Sequence, residues 1–120
     1  MTVTPSGTGL TVSGTVNTTD LYRRRVGIFV GFANTVSSAT STYTYFEAAN
    51  NNAGSLNFTV TIPAVVFANM GAITGTTLYF AAYGINSNYA GSSSYVDNTN
   101  GRRIYTALSS TFLTASGVVP

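Results

Sequence analysis

A two-residue alternation of apolar and polar side chains runs through most of this chain, and a period of two belongs to half-buried strands. Leu10, Val12, Gly14 and Val16 alternate with Thr11, Ser13 and Thr15, and Leu56, Phe58, Val60 and Ile62 alternate with Asn57, Thr59 and Thr61. Tyr43 and Tyr45 alternate with Thr42 and Thr44, which predicts an edge strand. Val26, Ile28, Val30 and Phe32 form another apolar row. The residues opposite them, Gly27, Phe29, Gly31 and Ala33, are non-polar too, so this strand is expected to be central or covered on both faces. Two further strands are expected at 77–85 and 103–113. Pro63 has no amide to give a ladder and ends the strand before it. The mixed period of 64–75 predicts a short helical turn packed under the strands. Segment 86–101 is rich in Ser, Asn and Gly, and its Asn100-Gly101 pair suits a tight hairpin turn. Six or seven short strands with polar turns, in one domain spanning 1–120, predict an all-β immunoglobulin-like sandwich. A jelly roll or a small β-barrel is the competing architecture.

Composition decides what such a sandwich can do. The chain has no His, Cys, Lys or Trp, and its only acids are Asp20, Glu47 and Asp97. Acid–base and nucleophilic chemistry draws mostly on the missing types or on paired carboxylates, so no enzyme and no cofactor is expected. Thr, Ser, Asn and Gly fill 56 of the 120 positions and solubilise the surface by hydrogen bonding rather than by charge. Fifteen Tyr and Phe argue against disorder. Residues 1–5 have neither the basic nor the apolar region of a signal peptide, and no apolar run is long enough to span a bilayer as a helix.

Several segments together carry a family likeness: residues 10–16 (LTVSGTV), 25–30 (RVGIFV), 58–63 (FTVTIP) and 77–86 (TLYFAAYGIN). In this order they resemble a bacterial or phage fibronectin type III-like domain, in which they would be strands B, C, E and F. The chain departs from that pattern at Leu78, where a tyrosine-corner Tyr is common, and at Ala81, where Arg is frequent. Its first strand is also reduced to residues 1–5. The resemblance implies that the B–C and F–G loops emerge at one end of the sandwich. Arg23, Arg24, Arg25, Arg102 and Arg103 would then gather at one pole with Asp20 and Asp97, leaving Glu47 as the only charge elsewhere. Such a pole either pairs internally and is solvated, or docks on an acidic neighbour or an anionic glycan through the planar Arg fork. Nucleic acid is not an expected partner, because five Arg lack an interleaved aromatic platform.

Seven tyrosines, Tyr43, Tyr45, Tyr79, Tyr83, Tyr89, Tyr95 and Tyr105, cannot share one core face, so several are expected at the surface or in interfaces. Tyr89 and Tyr95, in the loop at 86–101, are the two expected to be exposed for a partner. The run from Asp97 to Gly101 has too few carboxylates for a calcium loop and reads as turn chemistry, so no metal is expected. Asn17-Thr18-Thr19 and Asn57-Phe58-Thr59 match the glycosylation pattern, as chance allows in a Thr-rich chain. Residues 114–120, with Val118 and Val119, continue apolar to the last residue and either pack back on their own sandwich or dock on a neighbour, and docking is the expected outcome.

These features converge on a non-enzymatic structural or interaction protein of an extracellular assembly, with a phage virion as the leading expectation, either as capsid decoration or as a tail or fibre module. Its expected partners are other structural proteins of that assembly, in a homo-oligomer or lattice, with a glycan as a further possibility and no membrane. The alternative is an adhesion or carbohydrate-binding module of a larger bacterial surface protein, placed extracellularly or at the cell surface.

Overall fold

A computed structural model describes residues 1–17, 25–48, 50–52, 55–85, 94–96, 98–105 and 108–120. The strands are β1 (Thr2–Ser6), β2 (Gly9–Asn17), β3 (Arg25–Gly31), β4 (Tyr43–Ala48), β5 (Asn50–Asn52), β6 (Ser55–Ile62), β7 (Thr77–Ile85), β8 (Ser94–Val96), β9 (Arg103–Tyr105) and β10 (Leu108–Val118). One short helix, α1 (Ala64–Asn69), follows Pro63. Two antiparallel sheets, in the orders β1-β2-β6-β5 and β10-β7-β3-β4, make an all-β sandwich, and β8 and β9 form a separate hairpin. Two facing antiparallel sheets of this kind are the architecture of a β-sandwich.

The alternation read from the sequence sets the inward faces. Leu10, Val12 and Val16 of β2 pack with Leu56, Phe58, Val60 and Ile62 of β6. They meet Val26, Ile28 and Val30 of β3, together with Leu78, Phe80 and Ala82 of β7. The expected helical turn is α1, whose Phe67 is buried and closes one end of this core. Each large apolar side chain buried here contributes about 1.5–3 kcal/mol.

β3 is buried along both faces from Val26 to Gly31, as its doubly apolar pattern requires. Tyr43 and Tyr45 are half-buried on β4, which is indeed an edge strand. Asn100 and Gly101 lie in the connection between Val96 of β8 and Arg103 of β9, which is longer than the expected two-residue turn, and Gly101 takes a positive φ of 69° whereas Asn100 does not. The Asn100 side-chain oxygen accepts the Arg102 N–H at 2.9 Å, an Asx-type closure of that turn.

The last strand departs from expectation. Instead of one strand over 103–113, the chain forms β9 and then β10, and β10 pairs with β7 from Phe112↔Tyr83 to Val118↔Thr77. The register shifts between Leu108 and Phe112. Ser109 holds this irregularity, because its hydroxyl accepts the Gly84 N–H at 3.0 Å and donates to the Thr111 carbonyl at 2.6 Å. The Thr111 hydroxyl in turn donates to the Asn17 carbonyl at 2.7 Å.

Of the two readings of 114–120, packing back on the chain's own sandwich matches the pairing of β10. Residues 114–118 are the paired half of β10. Val119 is only 6% exposed, and its N–H donates to the Thr76 carbonyl while its own carbonyl accepts the Gly75 N–H. The tail belongs to its own sandwich because Gly117 lets β1 approach: a Cβ there would come within 2.5 Å of Val3 Cγ1.

Ser109→Ala leaves the buried Gly84 N–H without its acceptor. Urea denaturation is expected to show a loss of about 1–3 kcal/mol for this variant, against a small change for Ser110→Ala, an exposed neighbour.

Candidate interaction surface

A second apolar cluster lies on the outer face of the sheet β10-β7-β3-β4, away from the main core. It contains Phe29, Val36, Ala81 and Tyr83, with Tyr79, Tyr105 and Leu108 packed against it. Phe29 and Ala81 are fully buried there, although they point away from the sandwich interior. Two segments supply the cover. The loop between β3 and β4 brings Val36 over Gly31, and the β8–β9 hairpin brings Tyr105 over Phe29.

The rings meet in preferred geometries. Phe29 stands edge-on to Tyr83 at 5.4 Å and to Tyr105 at 5.2 Å. Tyr105 also reaches Phe46 of β4 at 5.5 Å, and Phe112 of β10 stacks on Tyr83 at 4.6 Å with 18° between the planes. Phe112 remains 48% exposed, so one face of this stack meets solvent. Burial pushes the Tyr83 hydroxyl above its ordinary value of 10.0, and a backbone hydrogen bond from Ser38 partly opposes the shift.

The hairpin changes where the charge lies. Arg25 opens β3 and pairs across to Ala48 and Ile85. An Arg102 guanidinium nitrogen lies 3.4 Å from the Ser41 carbonyl, a long hydrogen bond, and Ser41 precedes Tyr43, which pairs with Val30 at the other end of β3. Five residues of strand separate Val30 from Arg25, roughly 17 Å. The expected single pole holding all five Arg is therefore corrected for Arg102, because the segment before β10 doubles back over the sheet instead of arching at the end. Arg103, on β9, is exposed and sits opposite Val96. Asp20, Arg23, Arg24, Tyr89 and Asp97 lie outside the described residues. Tyr95 is on β8, opposite Ile104. Val118 is 52% exposed at the end of β10, whereas Val119 is buried.

Five of the described tyrosines sort into the two cores. Tyr43 and Tyr45 pack against the main core, while Tyr79, Tyr83 and Tyr105 pack in the outer cluster. Among the described residues, no group of three His, Cys, Asp or Glu could hold a metal ion.

Two surfaces went unremarked in the sequence. The first is the outer face of β1-β2-β6, which presents Thr2, Thr4, Thr11, Ser13, Thr15, Asn57, Thr59 and Thr61 and no charge. Three cross-strand pairs tie it together: Thr2 with Ser13 at 3.0 Å, Thr11 with Thr61 at 2.8 Å, and the Thr15 hydroxyl donating to Asn57 Oδ1 at 2.6 Å. The signal was present as the polar half of each alternation. The second is a cleft of about 230 Å³ lined by Asn34, Val36, Tyr79, Phe80, Thr114, Ala115 and Ser116. No local pattern announces it, because three separate segments build it.

A titration follows from Tyr83. Its raised hydroxyl favours the neutral folded state, so that part of the stability is complete below pH 10 and is lost as pH rises from there through the raised folded value. Unfolding followed across this alkaline range is expected to decline less steeply in Tyr83→Phe than in the parent chain.

No protein-family model, no curated protein and no solved structure matches the chain.

Proposed function

We propose that the chain is a non-enzymatic structural and interaction module of an extracellular assembly, and specifically a phage virion component such as a capsid decoration or a tail or fibre module. The observation that carries this reading is the uncharged hydroxyl face of β1-β2-β6. Burying a charge in a contact costs several kcal/mol per ion unless it is well paired. Hydroxyls that already bond one another across strands lose far less when a neighbour covers them. Low charge also limits repulsion between copies packed around a symmetry axis. The β-sandwich architecture supports the reading as well, since the fibronectin-like resemblance implies a sandwich of the kind that recurs on phage particles.

The test is to quantify the chain in gradient-purified particles from a lysate. The reading expects it in the particle band at a fixed ratio to the major coat protein, and its confinement to the soluble fraction would contradict it. A charge placed on the face, Thr59→Lys, is expected to lower particle occupancy at least about tenfold, equivalent to about 1.4 kcal/mol of contact energy. Because Thr59 is exposed, the melting temperature of this variant should stay close to that of the parent.

A further inference from the structure

We propose that the cleft beside Tyr79 is a binding site for a single neutral sugar ring, whichever assembly carries the chain. The strand register builds it. Tyr79 of β7 lies opposite Gly31 on one side and Ser116 of β10 on the other. Gly31 offers no side chain, so the β3–β4 loop settles Val36 into that space and holds Asn34 at the rim. Val36 is buried and fixes the back of the cleft, while Asn34, Thr114 and Ser116 stand exposed around it.

The lining selects the ligand by its chemistry. None of the seven residues is charged, so nothing compensates an ionic ligand. Tyr79 supplies an aromatic wall with an apolar body and a polar tip, matching a ring that has C–H faces and hydroxyl edges. Asn34, Thr114, Ser116 and Tyr79 each carry groups that both donate and accept. Among the described residues these four side chains have no hydrogen-bond partner of their own. On the β1-β2-β6 face, by contrast, hydroxyls pair with one another, and the Tyr83 hydroxyl is engaged by the Ser38 backbone. Around the cleft, these polar groups remain available to a ligand.

Size sets the scale. A volume of about 230 Å³ is below the roughly 300–1,000 Å³ of pockets for drug-sized ligands, so one ring is held rather than a buried chain. A ligand of that size held by one stacking wall and a few hydrogen bonds is expected to bind with a dissociation constant of about 1–10 mM.

The experiment is a two-dimensional amide NMR titration of the full chain with glucose, galactose, mannose and N-acetylglucosamine, each taken to about 100 mM to reach saturation. At least one sugar is expected to shift the amides of Asn34, Tyr79, Thr114 and Ser116 saturably. Tyr79→Ala should weaken binding at least tenfold, and Tyr79→Phe, which keeps the aromatic wall, should retain most of it. Ser116→Arg, at an exposed position, blocks the mouth without entering a core and tests the site even if Tyr79→Ala fails to fold. Absence of saturable shifts with all four sugars, shifts centred elsewhere, or binding unchanged in Ser116→Arg would overturn the proposal.

Discussion

Phe29 lies on the side of its sheet that faces away from the main core, yet no part of it reaches solvent. That burial obliges the chain to build a cover, and the organisation of one whole side of the molecule follows from it. The cover comes from two places distant in sequence, Val36 in the β3–β4 loop and Tyr105 at the end of the β8–β9 hairpin. Burying one such aromatic is worth about 1.5–3 kcal/mol, and each edge-on ring pair adds about 0.5–1.5 kcal/mol. These terms favour folding the hairpin onto the sheet over leaving it extended at the end of the sandwich. The same choice moves Arg102 away from Arg25, breaking up a charged pole, and leaves Phe112 stacked on Tyr83 at the margin.

How much of this was legible depends on the range of the physics involved. The inward rows of β2 and β6 follow from a period of two, which any short stretch displays, and Leu10 to Val16 and Leu56 to Ile62 fell where the alternation put them. The double burial of β3 was equally plain, because both of its rows are non-polar. What covers it was not. Phe29 and Tyr105 are far apart in sequence, and a Ser- and Asn-rich hairpin reads locally as a loop. The last strand was misjudged for a similar reason. Thr114, Ala115, Ser116 and Gly117 lack a strong apolar alternation because Gly117 makes room for Val3 from the neighbouring sheet, and Ser109 resets the register just upstream. The Tyr79 cleft draws on β7, β10 and the β3–β4 loop at once, so no window of sequence contains it.

The two sheets thus present different outer surfaces. The face of β1-β2-β6 is flat in chemistry, a lattice of hydroxyls and an amide that bond one another and carry no charge. The face of β10-β7-β3-β4 is layered, with a small apolar core of its own and a neutral cleft at its margin. A module of this kind can set one side against a neighbour and keep the other for a ligand, which is the division of labour proposed here for a particle component. Neither the hydroxyl lattice nor the lining of the cleft contains a charged side chain, in keeping with a chain that has only eight of them.

Loop and hairpin seal the outer face of the sheet over Phe29 and Ala81, and the absence of cysteine from the chain allows a direct measurement of that seal. Ala81→Cys places a single thiol on that face at a fully buried position, and Thr114→Cys places one at the exposed position paired with it on β10. Under native conditions a thiol reagent should label Thr114→Cys rapidly and Ala81→Cys only as fast as the protein unfolds. Labelling of both at the same native rate would show the outer face open to solvent and would contradict the account.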